Sequence, residues 1–137
     1  TIPGDHIGHL SSEFIKASSE GQYEWLCSQL SKHKDKVSHI FIFAHIPLHP
    51  NIKHGGMYLT VNDQRMLVEL IHKYKPTALF FGHLHTNMHF KIGSTQIFVV
   101  PSSNWNFGKL KPGVLEVKVY KRKFFANFVH YLELSKQ

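Results

Sequence analysis

The sequence predicts an α/β fold in which a strand–helix–strand unit is followed by antiparallel strands. Two short apolar runs, residues 37–45 (VSHIFIFAH) and 77–82 (TALFFG), have the β-branched and aromatic content of buried strands. A helical pattern separates them, which favours a parallel pair joined by a right-handed crossover. The 137 residues fit a single domain, residues 1–137.

A first helix is expected before the first strand. Ser19 and Gln22 have the spacing of a capping box, and the helix is predicted to run to about Lys34. Its apolar face repeats at helical spacing and consists of Tyr23, Leu26 and Leu30. Cys27, the single cysteine, lies in this helix and is expected to be a small buried hydrophobe. One cysteine excludes an intramolecular disulfide and argues against a thiolate metal cluster.

The crossover between the two predicted strands consists of a loop and a second helix. Residues 46–61 contain two prolines and two adjacent glycines and are expected to form the loop. Asn62 is the expected cap of the second helix, and Pro76 ends it. The apolar side of this helix consists of Leu67, Val68, Leu70, Ile71 and Tyr74.

Antiparallel strands are predicted in the last third of the chain. Residues 87–93 and 95–100 flank Gly93-Ser94, a two-residue hairpin signal. Residues 113–120 and 124–132 alternate apolar with polar side chains around a Lys-Arg-Lys turn at 121–123. These strands are expected at the edge of the first sheet or in a second sheet.

The charge and hydropathy of the chain limit its partners. The net charge is +7 with histidine neutral, but the lysines are dispersed, which favours a solvated basic surface over a nucleic-acid footprint. No apolar run approaches the roughly 18 residues of a membrane span, and no basic-then-apolar leader is present. A cytoplasmic protein with no membrane contact is therefore expected. Because the first residue is Thr1 rather than Met, an upstream segment is also expected.

Three of the 12 histidines stand at the ends of the two predicted strands. His45 ends the first strand, whereas His83 and His85 follow Gly82 at the end of the second. The carboxyl ends of parallel strands open on one edge of a sheet, and imidazole is the commonest side-chain metal ligand. In a turn after a strand two rings can fan out to serve two metals about 3.5–4 Å apart. Gly82 is expected to leave the turn uncrowded and let the backbone bend.

Seven other histidines and three loop residues have positions that are less specific than those of His45, His83 and His85. The histidines expected on the surface, in the core or in strands and loops are His33, His39, His49, His54, His72, His89 and His130. Asn104, Trp105 and Asn106 are candidates for lining a substrate pocket, but no substrate-binding residue can be assigned.

Several motifs resemble those of the calcineurin-like metallophosphoesterases. Residues 41–48 (FIFAHIPL) and 79–85 (LFFGHLH) are similar to the last two metal-binding motifs of that family. Residues 1–30 resemble its turn followed by a Gln-x-x-Trp-Leu helix, here Gln22, Trp25 and Leu26. Residues 97–106 and 111–120 resemble its proline-serine loop and closing strands. The resemblance covers nearly the whole chain.

The resemblance implies a fold and a dinuclear metal site. The chain looks like the C-terminal half of a four-layer αββα sandwich, with His45 and His83 as ligands of the second metal and His85 of the first. The two divalent ions, commonly Mn, Fe or Zn, would activate a hydroxide that attacks phosphorus. The substrate would be a phosphorylated small molecule or nucleotide. The motif pattern favours the phosphodiesterase-type branch, and protein-phosphatase-like branches are the alternative.

The family's first half contributes motifs that this chain does not contain. Those motifs are Asp-x-His, Gly-Asp-x-x-Asp and Asn-His, which supply the carboxylates, the asparagine and the general-acid histidine. No catalytic residue is therefore assigned, and the chain alone is expected to bind metal weakly and hydrolyse little. An N-terminal half or an oligomer contact is expected to cover the exposed sheet. The alternative is a non-catalytic protein-interaction module on the same fold, which the three histidines argue against.

Overall fold

The computed structural model describes residues 21–52 and 56–131 as two helices and six strands. The predicted α/β class with a mixed sheet and antiparallel strands is confirmed. The elements in chain order are α1 (Gln22–His33), β1 (Phe41–Phe43), α2 (Val61–Tyr74), β2 (Ala78–Phe81), β3 (Met88–Ile92), β4 (Thr95–Val99), β5 (Gly113–Val119) and β6 (Phe124–His130).

Three parallel strands form the framework of the larger sheet. Its order is β1-β2-β4-β3, in which β1 and β4 both run parallel to β2, while β3 is antiparallel to β4. Helix α2 lies between β1 and β2 in the chain, so the predicted strand–helix–strand unit is present. Strands β5 and β6 form a separate antiparallel pair. The carboxyl ends of β1, β2 and β4 therefore share one edge.

The larger sheet is covered on both faces. On one face Leu79 and Ile97 pack with α2 residues Leu67, Leu70 and Ile71 in the main core. On the other face a second cluster is formed by Ala78, Phe80 and Phe98 with residues of the β5–β6 pair: Leu115, Val117, Phe124 and Ala126. Every residue of β2 is buried, as its continuous apolar run predicts for a central parallel strand.

Strand β1 differs from its prediction. The expected buried strand over residues 37–45 is reduced to three residues, and the Phe43 side chain is 71% exposed. Within the described residues β1 pairs only with β2, so it is an edge strand. An apolar run shows that a segment can be buried, but it does not show how many neighbours the segment has. The expectation of full burial is wrong for this reason.

Both helices begin at residues other than the expected caps. The N-cap of α1 is Gly21, with a left-handed φ of 79°, and Ser19 lies outside the described residues. The N-cap of α2 is Thr60 rather than Asn62, because Thr60 Oγ1 accepts from the Asp63 amide at 3.2 Å. The same hydroxyl donates to Asp63 Oδ2 at 2.8 Å, so it bonds to both the backbone and the side chain of Asp63.

The expected ends of these helices are confirmed, and their predicted apolar faces lie in the main core except for Val68. Helix α2 stops at Tyr74, two residues before Pro76, and Lys75 adopts a left-handed φ of 50°. Cys27 is half-buried against the main core rather than fully buried. In the part of the chain that the structure describes, no helix has the length and hydropathy needed to cross a bilayer.

The two predicted hairpins are present. Gly93, with a left-handed φ of 57°, lies in the turn that pairs Ile92 with Thr95. The Lys-Arg-Lys segment at 121–123 joins β5 to β6, where Val119 pairs with Phe124. The order of strands in the sheet was not predicted, because the returning strand β4, and not β3, lies beside β2.

We expect Thr60→Ala to lower the free energy of unfolding by about 1–2 kcal/mol, since it removes the N-cap of α2. Asn62→Ala is the matched control, because Asn62 is exposed and makes only a 3.6 Å contact with Met66 Sδ. Urea unfolding followed by circular dichroism measures both variants. A larger loss for Asn62→Ala would contradict the assignment of Thr60 as the cap.

Candidate functional site

The parallel strands bring three chain segments to one edge of the sheet. The Ala44 amide donates to Phe80 O and the Gly82 amide donates to His45 O, both at 3.0 Å, so the end of β1 continues alongside the end of β2. On the other side of β2, the Val100 amide donates to Phe81 O at 2.7 Å. The segments after β1, β2 and β4 thus leave the sheet together, as expected for parallel strands.

His45 and His83 meet at this edge. Nδ1 of His83 lies 3.2 Å from Nε2 of His45, and the two rings cross at 75° with centroids 5.0 Å apart. One nitrogen donates a proton and the other accepts it, according to the tautomers. Two nitrogen ligands at 2.0–2.1 Å from one tetrahedral Zn²⁺ lie about 3.3 Å apart. The observed separation of the two nitrogens therefore fits a pair that binds one metal ion.

The backbone of the His83–His85 turn is left-handed at both histidines. The φ angles are 67° at His83 and 48° at His85, and Leu84 between them is buried with 8% of its surface exposed. A non-glycine residue in this region costs roughly 1–2 kcal/mol. Strain of this kind persists where the surrounding structure holds it, often at functional sites.

Gly82 does not play the part that the sequence suggests for it. It is not among the described glycines with a left-handed φ, and a Cβ there would lie 3.6 Å from His45 Nδ1, an ordinary contact. The expectation that Gly82 makes the bend is wrong, because His83 and His85 make it themselves. Gly82 contributes through its backbone amide, which is bonded to His45 O.

His85 is oriented by the loop after β4. Its Nδ1 lies 2.9 Å from Trp105 O, and the Phe107 amide donates to His85 O at 3.2 Å. Since a carbonyl oxygen only accepts, Nδ1 carries a proton, and in the Nδ1–H tautomer of the ring the lone pair is on Nε2. A histidine held by a backbone carbonyl in this way is the usual arrangement of a metal-ligating imidazole. His85 therefore fits a ligand that binds through Nε2.

The loop after β4 is braced by Asn106. Its Oδ1 accepts from the Ser102 amide at 2.6 Å, and its Nδ2 donates to Ser102 O at 3.0 Å. The Asn104 amide donates to Ser102 Oγ at 3.1 Å. Of the three residues suggested as pocket lining, Trp105 has its ring centroid 4.4 Å from that of His85. Asn106 instead holds the loop.

Phe107 belongs to the same edge and was not identified from the sequence. Its ring centroid lies 6.1 Å from that of His85 and 5.2 Å from that of Trp105. The available signal was an aromatic residue in a polar loop directly after the third parallel strand. That signal could not be used because the parallel pairing of β4 with β2 was not predicted.

Other histidines lie outside this pair, and His89 and His49 have contacts of their own. His89 is a β3 residue, as predicted, with Nε2 2.9 Å from Gln96 Oε1 and its ring stacked on Phe98. His49 packs edge-on against Tyr58, and His54 lies outside the described residues. The Nδ1 atom of His130 is buried and has no hydrogen-bond partner among the described residues, so this side chain is not a fully satisfied one.

The potential metal ligands at this edge are a histidine pair with a third histidine nearby. Within residues 21–52 and 56–131, no three side chains of His, Cys, Asp or Glu are grouped so as to hold a metal ion. The geometry instead pairs His45 with His83 and places His85 near enough for its charge to act on His83.

Comparison with models of known protein families and with curated proteins gave no match to this chain.

The surroundings of His83 favour its neutral form, because its pKa is lowered. Partial burial lowers the pKa of His83, and the neighbouring charges of His45 and His85 lower it further. A lowered pKa means that a larger fraction of His83 is neutral near pH 7. Only the neutral ring can offer a lone pair to a metal ion.

We expect His83→Gly to be more stable than His83→Ala by about 1 kcal/mol, because glycine relieves the left-handed backbone. His89 in β3 is the matched site, since glycine there should be less stable than alanine by about 0.5–1 kcal/mol. Urea unfolding of the four variants tests the reversal. The same order at both positions would contradict backbone strain at His83.

We also expect ¹H–¹⁵N NMR spectra to show that the pKa of His83 is lowered from the ordinary histidine value. His45→Gln should raise its pKa, because the substitution removes a neighbouring positive charge. The rise should be partial, since burial is the largest cause of the shift and remains. An unchanged or lower pKa in this variant would show that the charge of His45 does not act on His83.

Proposed function

We propose that this chain is the C-terminal half of a metal-dependent phosphoesterase of the calcineurin-like type. The parent protein would hydrolyse phosphodiester or phosphomonoester bonds at a dinuclear metal centre. The single observation that supports this most strongly is the 3.2 Å separation of His45 Nε2 and His83 Nδ1 at the converging ends of two parallel strands.

Each histidine has a distinct role in this proposal. His45 and His83 would hold one ion through Nε2 and Nδ1, and His85 would offer Nε2 to the other. The hydrogen bond from His85 to Trp105 O fixes the tautomer and the orientation of that ring. Divalent ions of the Mn, Fe or Zn type bound there would supply Lewis-acid polarisation of a phosphoryl oxygen and activation of water.

The remaining features of the chain suit an anionic substrate. The net charge of +7 favours the approach of a phosphate ester. The left-handed turn holds the two imidazoles before a ligand arrives, so less ordering is needed on binding. The lowered pKa of His83 keeps that ring neutral over more of the physiological pH range.

The proposal includes a preceding half-domain that supplies the carboxylate and amide ligands. Two features of β1 support it. This strand has an unpaired edge among the described residues, and the large side chain of Phe43 beside it is 71% exposed. A strand added next to β1 would satisfy its backbone groups and cover that ring. The result would be the four-layer sandwich that the resemblance implies.

The second candidate is a non-catalytic protein-interaction module on the same fold. The exposed apolar side chains of Trp25 on α1, Phe43 on β1 and Val37 between these elements favour a surface that a partner covers. The two candidates differ in their response to metal ions, because an interaction module has no use for His83 as a ligand.

We expect Zn²⁺ to shift the NMR signals of His45, His83 and His85 in the isolated chain, with weak affinity because only imidazoles are present. His83→Ala should weaken binding by more than about tenfold. His89→Ala is the control, since His89 is an exposed strand histidine. Equal loss in the two variants would point to adventitious surface binding.

The activity test applies the same substitution to the natural full-length product. A chromogenic phosphodiester is assayed with Mn²⁺, and His83→Ala should reduce the rate by at least about 100-fold. If the rate is unchanged, His83 is not part of the centre and the phosphoesterase proposal fails.

A further inference from the structure

Two aromatic rings flank His85 and are open to solvent. The Trp105 side chain is 52% exposed and that of Phe107 is 59% exposed. Their ring planes stand at 82° to each other, with centroids 5.2 Å apart. Large apolar side chains of this kind are usually buried, so an exposed pair beside a candidate metal ligand requires an explanation.

The loop that carries these rings is preorganised rather than loose. The Asn106 side chain accepts from the Ser102 amide and donates to Ser102 O, and Trp105 O accepts a hydrogen bond from His85 Nδ1. The Phe107 amide is bonded to His85 O, so both aromatic residues are tied to His85 through the backbone. The backbone of both aromatic residues is therefore held close to the imidazole.

The geometry points to a stacking site for a planar aromatic group carried by the phosphate ester that this centre would bind. Phosphate would lie at the histidines, and a nucleobase or an aryl group would lie against Trp105 and Phe107. This inference rests on the proposed function, because it assigns the substrate class of the same site.

Three properties of the pair favour this ligand. Indole and phenyl rings provide flat faces on which a base stacks, and base–aromatic stacking tolerates any base. The rings contribute no charge, so they do not compete with the histidines for phosphate. The exposed faces lie next to His85, since the rings of His85 and Trp105 have centroids 4.4 Å apart. A sugar or ester linkage would therefore connect a phosphate at the histidines to an aromatic group on these faces.

Binding is measured without catalysis. The chain has two tryptophans, and Trp25 lies on α1 beside His39 and Ile40, near the start of β1 and therefore away from the strand end that carries His45. A Trp25→Phe background makes Trp105 the only fluorophore of its type. With Zn²⁺ present, AMP should quench this fluorescence at lower concentration than ribose 5-phosphate. The same measurement with phenyl phosphate and methyl phosphate tests whether an aryl group can take the place of the nucleobase.

The variants separate stacking from support of His85. By calorimetry, Trp105→Ala and Phe107→Ala should each weaken AMP binding about 5- to 150-fold and leave ribose 5-phosphate binding unchanged. Trp25→Ala is the matched control, an equally exposed tryptophan elsewhere, and should change neither. If Trp105→Ala weakens both ligands equally, the ring only supports His85 and the inference is overturned.

The two proposals can fail separately. If phosphate ligands bind in a manner that depends on Zn²⁺ and His83, but no aromatic group improves their affinity, the phosphoesterase proposal stands and the stacking site does not. If Zn²⁺ fails to bind while AMP still quenches Trp105 more strongly than ribose 5-phosphate, the stacking site stands and the metal centre does not. If none of the ligands binds, the stacking inference is overturned.

Discussion

The pairing of β2 with a parallel strand on each side is the constraint on which the rest of the site depends. Hydrogen bonds from Ala44 to Phe80 and from Val100 to Phe81 continue this pairing past the ends of the strands. Residues far apart in the chain, such as His45 and His83, are thereby placed side by side. If β1 were antiparallel to β2, His45 would lie at the opposite edge and no common site would exist.

The buried sheet also holds a turn that is unfavourable by itself. His83 and His85 are both left-handed, a local cost of roughly 1–2 kcal/mol each. Directly before them, β2 is buried on both faces, and Leu84 between them is buried as well. Burial of a large apolar side chain contributes about 1.5–3 kcal/mol, so the anchoring of the turn offsets its strain. His83 and His85 are thus held in a backbone conformation that the isolated segment would not favour.

The molecule is well packed in its middle and open at one side. Both faces of β2 are covered, one by the helices and the other by the β5–β6 pair. Strand β1, in contrast, has a free edge among the described residues and an exposed Phe43. The same side lies next to the histidines, so a segment that completed the sheet would also reach the site. A segment that paired with β1 would therefore both extend the sheet and lie beside His45.

The sequence alone determined the element types, the parallel β1–β2 pair, both hairpin turns and the position of the three histidines at strand ends, because apolar periodicity, proline and glycine act locally. It did not determine that Thr60 caps α2, that β1 is an edge strand, or that β4 inserts beside β2. Those features depend on which segments become neighbours, and the patterns of apolar residues allow several arrangements. Only the tertiary structure placed Trp105 and Phe107 beside His85 and turned His83 towards His45, because contacts between distant segments decide both.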